Sequence, residues 1–88
     1  MKLKDGFMTH SAGGEHMAIA TGEAAKTFHG MIRNNETADF IFRQLLTDTT
    51  EGSIVDAMLQ EYDAPRERVA ADVHRVVTQL REAGFLDE

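Results

Sequence analysis

The chain has 88 residues, 42% of them hydrophobic, with no cysteine and a formal net charge of −6 at pH 7. One domain of this size builds a single modest core and has no room for a deep, walled active-site cavity. The missing cysteine excludes disulfides, thiolate zinc sites, iron–sulfur clusters and a cysteine nucleophile.

No apolar run approaches the roughly 18 residues of a membrane span. Met1 to Gly6 carries two lysines with no apolar stretch behind them, so no signal peptide is expected and the cytoplasm is the default compartment. Charge is unevenly spread. Met1 to Asn35 holds four Lys/Arg and three Asp/Glu, whereas Glu36 to Glu88 holds five and twelve. An acidic body repels the phosphate backbone that supplies most nucleic-acid affinity.

The pattern changes period near Asn34-Asn35, from strand-like to helical, within residues 1–88 read as a single domain. Gly6 to Ala12 and Glu15 to Thr21 flank Gly13-Gly14. Glycine accepts the positive φ of a primed turn, so this is a hairpin signal. The register pairs Ala12 with Glu15, His10 with Met17 and Met8 with Ile19. One face then carries Met8, Met17 and Ile19, the other Thr9, Ser11, His16 and Ala18, and the first is the expected core face.

Thr21 to Ala24 reads as a connection and Lys26 to Arg33 as a third strand, with Phe28 and Ile32 pointing one way and Thr27, His29, Met31 and Arg33 the other. Helix is the rival over Glu23 to Phe28, because Ala, Glu and Lys favour it; Gly30 argues against its running further.

Asn34 or Asn35 can cap the first long helix, whose apolar stripe is Ala38, Ile41, Phe42 and Leu45. Thr47 to Thr50 ends it and caps a second, with Ile54, Val55, Met58, Leu59 and Tyr62 as its stripe. Pro65 suits the first turn of a third helix, striped by Val69, Val73, Val76, Val77 and Leu80. Gly84 fits the C′ position, and Phe85 the hydrophobic contact of a Schellman cap. The expected class is α+β and winged-helix-like, with a three-stranded antiparallel sheet followed by three helices in the order β-β-β-α-α-α.

Catalytic signals are missing. No nucleophile–base motif is present, and Gly13-Gly14 lacks the helix and lysine of a phosphate loop. His10 and His16 fall on opposite hairpin faces, and His29 and His74 on separate elements, so no metal or other cofactor is implied. Glu61, Asp63 and Glu67 read as helix-end charges rather than an acid–base pair. The third helix sets Arg66, Arg68, Arg75 and Arg81 against Glu67, Asp72 and Glu82. As a DNA reader its first half offers mainly alanines, which read few base edges; as a solvent face it is salt-bridged.

The third strand is the more informative feature. Between Thr27 and Ile32 there is no charge and no proline, the devices that usually blunt a sheet edge. An open edge there would accept an extended peptide as a fourth strand. The other covers for such an edge are a helix or a second copy of the chain in a homodimer.

Asn35-Glu36-Thr37-Ala38-Asp39-Phe40-Ile41-Phe42-Arg43-Gln44-Leu45-Leu46-Thr47-Asp48 resembles a family pattern of an Asn, a Thr-Ala pair and an apolar helix ending near an acidic turn. Thr50 to Tyr62 resembles the family's second helix. Val69 to Val73 through Leu80-Arg81-Glu82-Ala83-Gly84-Phe85-Leu86 resembles its third helix and closing Gly-Phe-Leu. The chain is similar to the PqqD-like family, the small chaperones of pyrroloquinoline quinone biosynthesis and related precursor-peptide recognition elements. The resemblance implies a non-catalytic adaptor that binds the leader of a ribosomally made precursor peptide and presents it to a modifying enzyme, often a radical SAM enzyme. It places the peptide along Thr27, Phe28, His29, Gly30, Met31 and Ile32, with Asp72, Arg75, Val76 and Gln79 on the helix side. The alternative is a winged-helix DNA-binding transcriptional regulator, against which the acidic balance and the alanine-rich reading face weigh.

Overall fold

A computed structural model of the chain describes residues 1–27 and 30–88. The elements run β1 (Lys2–Leu3), β2 (Phe7–Ala12), β3 (Glu15–Ala20), α1 (Gly22–Thr27), β4 (Met31–Asn34), α2 (Glu36–Gln44), α3 (Glu51–Glu61), α4 (Arg66–Glu82) and β5 (Leu86–Asp87). The class is α+β: β2, β3 and β4 form a three-stranded antiparallel sheet in that order, and β1 and β5 form a separate two-stranded ribbon.

The hairpin keeps the expected register, Ala12 with Glu15, His10 with Met17 and Met8 with Ile19, with Gly13 and Gly14 at positive φ in the turn. Its core face is the opposite of the one expected. Phe7 is 7% and Ala18 1% exposed, whereas Met8 is 59% and Ile19 36% exposed. Register sets only which side chains share a face. The elements that pack on the sheet choose which face is covered, and here α2 packs on the face carrying the small Ala18.

The expected order β-β-β-α-α-α also fails. The short helix α1 intervenes before the last sheet strand, as local propensity at Glu23-Ala24-Ala25-Lys26 favours, and it is held by the buried Ala24. The last strand is correspondingly short: it begins at Met31 rather than Lys26. The β1–β5 ribbon has no period signal because each strand is two residues long; its register, Leu3 opposite Leu86, comes from closing one end of the chain on the other.

The helical half follows its stripes. Ile41, Phe42, Leu45, Ile54, Val55, Met58, Val69, Val73, Val77 and Leu80 are buried in one cluster. Asn35 caps α2 by accepting from the Ala38 N–H at 2.8 Å, and Thr50 caps α3 by accepting from the Ser53 N–H at 3.1 Å. Pro65 stands just before α4, its carbonyl accepting from the N–H groups of Arg68 and Val69. At the far end Gly84 has φ +80°. The Gly84 N–H donates to Arg81 O at 3.1 Å and the Phe85 N–H to Leu80 O at 2.9 Å, the two bonds of a Schellman cap. That cap turns the chain so that Phe85 packs its ring 5.1 Å from that of Phe7.

Candidate functional site

β4 pairs on one side with β3, Ile19 opposite Met31, Ala18 opposite Ile32, Met17 opposite Arg33 and His16 opposite Asn34. It is the last strand of the sheet, so among the described residues its outer edge offers the N–H and C=O groups of alternate residues for further pairing. Ile32 and Asn34 turn inward beneath this edge. Together with α4 they enclose a groove of about 210 Å³. Its strand wall is Ile32 and Asn34, its helix wall Val76, Gln79 and Ala83, and its floor Ala38, Phe42, Leu80 and Phe85.

The groove is apolar apart from two amides, those of Asn34 and Gln79. Val76, Gln79, Leu80 and Ala83 recur at i, i+3, i+4 and i+7, one face of α4. That stripe lies beside the fully buried one of Val69, Val73 and Val77, so α4 both anchors the core and walls the groove.

The sequence-derived residues divide. Ile32, Val76 and Gln79 line the groove. Met31 is in β4, but its side chain is 50% exposed on the outer face of the sheet. Gly30 precedes the strand at φ +121°, a conformation that L side chains rarely adopt. Thr27 belongs to α1, not to a strand, because the helical propensity of the segment before it carries through. Phe28 and His29 lie outside the described residues.

On the helix side Asp72 shares the angular face of Val76 but lies about one turn, roughly 5 Å, nearer the helix start. It lines a different cavity of about 290 Å³ with Thr37, Tyr62 and Arg68. The Arg75 guanidinium pairs with the Asp72 carboxylate at 3.2 Å and is exposed. Of the four helix-side positions, Val76 and Gln79 therefore share the groove with Ile32 and Asn34, and Asp72 and Arg75 do not line it.

Asn34, Ala38, Phe42, Leu80, Ala83 and Phe85 also line the groove, and the resemblance placed none of them at the peptide site. The signal for Ala83 was present in the stripe running from Val76. The asparagine had no signal, because Asn34 and Asn35 are equivalent cap candidates until one is observed to cap. The four arginines of α4 behave largely as a salt-bridged face: Arg66 pairs with Asp56 at 2.8 Å, Arg75 with Asp72, and Arg81 with Glu88 at 2.8 Å. His10 and His16 fall on opposite faces of the sheet.

Against known proteins, residues 16–86 match the family model described as Coenzyme PQQ synthesis protein D (PqqD). The chain belongs to the PqqD family. The match starts at β3 and ends at β5, so it contains every residue that lines the groove of this PqqD-family chain. No curated protein matches the sequence.

Two solved structures share the fold. TbiB1 in complex with the TbiA(beta) leader peptide superposes with a TM-score of 0.75 at 20% identity, covering 99% of this chain and 95% of that one. Lasso peptide synthetase B1 complexed with the leader peptide superposes with a TM-score of 0.69 at 19% identity, covering 96% and 93%. No helix among the described residues is long and apolar enough to cross a membrane.

Proposed function

We propose that this chain is a non-catalytic adaptor, winged-helix-like in plan, that binds the leader segment of a ribosomally synthesised precursor peptide. The leader adds as a strand to the outer edge of β4, lays its inward side chains into the groove against α4, and is presented to a modifying enzyme, for which a radical SAM enzyme is the first candidate, in the cytoplasm. The observation that carries this reading is the coincidence of a strand edge without a neighbouring strand among the described residues and an apolar groove directly beneath it. Two similar folds whose structures are complexes with leader peptides support it, as does membership of the PqqD family.

The energetics suit a reversible adaptor. A strand of four residues presents only alternate backbone groups, each new hydrogen bond contributing about 0.5–1.5 kcal/mol net. An apolar anchor buried in the groove adds about 1.5–3 kcal/mol. Several kcal/mol go into ordering the peptide, so micromolar affinity is expected, with the anchor carrying a larger share than in a longer strand.

The test is an amide chemical-shift titration with a short leader encoded beside this chain's gene. Shifts should concentrate at residues 31–34 and 76–85. Shifts confined to the acidic outer faces of α2 and α3, with β4 and α4 silent, would exclude this site.

A further inference from the structure

Asn34 and Asn35 are neighbours with different fates. The Asn35 side chain is used by the fold, accepting from Ala38 N at 2.8 Å and from the Thr37 hydroxyl at 3.1 Å. The Asn34 Nδ2 is buried and has no hydrogen-bond partner among the described residues. Buried amide donors are rarely left so, and the residue that carries this one lines the groove, opposite a helix wall whose polar group is Gln79.

We infer that Asn34 is a specificity-determining residue that reads an oxygen acceptor on a bound peptide side chain, two positions from the peptide's apolar anchor. The inference rests on the leader-binding reading. The spacing follows from strand geometry. Ile32 and Asn34 are two residues apart and both face inward, and a strand added beside β4 directs alternate side chains to the same face. A peptide side chain at the level of Ile32 enters the apolar part of the groove. The next inward one, at the level of Asn34, meets that side chain, whose amide turns about its own side-chain bonds to bring the unused donor to the groove. Its backbone carbonyls lie in the plane of the sheet and point along the ladder, so the group within reach of an inward amide is a side-chain oxygen, an amide, hydroxyl or carboxylate. The recognised class is therefore a peptide with an apolar residue and an oxygen-bearing residue at i and i+2, in the order set by the direction of the added strand.

The experiment is selection of a displayed library of random 12-residue peptides on the full chain, with Val76→Glu as the groove control and Asn34→Leu and Asn34→Asp as the tests. Peptides that bind the wild type and are lost on Val76→Glu should carry the i, i+2 pair. Such a peptide should bind Asn34→Leu about three- to tenfold more weakly, the equivalent of one neutral hydrogen bond. Asn34→Asp, which replaces the donor by an acceptor, should instead enrich donors such as Lys, Arg or Gln at the second position. It keeps the inference testable if Asn34→Leu folds poorly. Val76-dependent peptides with no acceptor preference and equal affinity for Asn34→Leu would overturn the role of Asn34 and leave leader binding standing. Binders that are all insensitive to Val76→Glu would overturn the groove reading itself, and this role with it.

Discussion

Arg43 donates from Nε to Oδ2 of Asp39, one helical turn earlier, at 2.7 Å. Asp39 is only 5% exposed. The Nδ1 of His16 lies 3.4 Å from the same oxygen, and the second guanidinium nitrogen of Arg43 donates to the Ser11 hydroxyl at 2.9 Å. The pair therefore ties α2 to β2 and β3 and holds the sheet against the helix that floors the groove. Removing the arginine leaves a buried carboxylate without its main partner, the costly direction for a buried pair. Because Arg43 is itself half-exposed, Arg43→Ala should lower stability by about 1–3 kcal/mol. The double variant with Asp39→Asn should lose less than the two single losses added together. Urea midpoints of the four proteins measure the coupling.

Gly6 and Gly52 should respond in opposite directions to alanine. Gly6 sits at φ +103°, and a Cβ there would run into the Thr21 carbonyl oxygen. That region holds the bonds from the Thr21 N–H and hydroxyl to Gly6 O. Gly6→Ala should cost about 2–4 kcal/mol, since both backbone and contact must shift. Gly52 lies in the first turn of α3, where a Cβ would meet only the Thr50 hydroxyl at 3.9 Å. Gly52→Ala should be neutral or stabilise by up to about 1 kcal/mol. Thermal melts of the two variants decide both.

Val73 and Val76 are three residues apart on α4 and should separate folding from binding. Val73 is fully buried, so Val73→Asp should unfold the chain or destabilise it by several kcal/mol. Val76 is half-buried on the groove wall. Val76→Glu should melt within a few degrees of the parent, yet weaken leader binding on the order of a hundredfold, because the new carboxylate would be desolvated beneath the peptide. A titration with the leader, run beside the melts, checks the split.

Tyr62 is the sequence's only tyrosine and there is no tryptophan, so its phenol can be titrated by ultraviolet absorbance without interference. Burial, reinforced by the carboxylates of Glu36, Glu61 and Asp39, holds its pKa above the usual 10.0. The midpoint in the folded chain should lie above 10.0 and fall to the ordinary value in denaturant. The sign for stability follows. The folded state keeps the phenol proton more tightly than the unfolded state, so this contribution is fully present below the unfolded pKa. It is lost as pH rises through the folded one. Stability in the alkaline range should therefore fall, and Tyr62→Phe should flatten the decline.

The helical stripes were legible because each of the three long helices buries one face, and a period of 3.6 survives in the order of residues: Val69, Val73, Val77 and Leu80 are buried as their spacing requires. The hairpin register was legible because Gly13-Gly14 leaves one way to pair its flanks. The family pattern was legible for the same reason, since it is largely a pattern of buried spacing. What the order of residues could not decide was which side of the sheet meets the helices. Met8 and Ile19 are more hydrophobic than Ala18, yet Ala18 is covered and they are not, because the covered face is set by where α2 packs. The start of β4 at Met31 depends likewise on α1, which takes the segment up to Thr27. The groove arises only where the last turns of α4 come to lie against four residues of strand that precede them by more than forty positions. Val76 and Gln79 are placed on the helix side by the family resemblance rather than by helical phase, whereas Asn34, which lines the groove while Asn35 caps α2, waited on the tertiary structure.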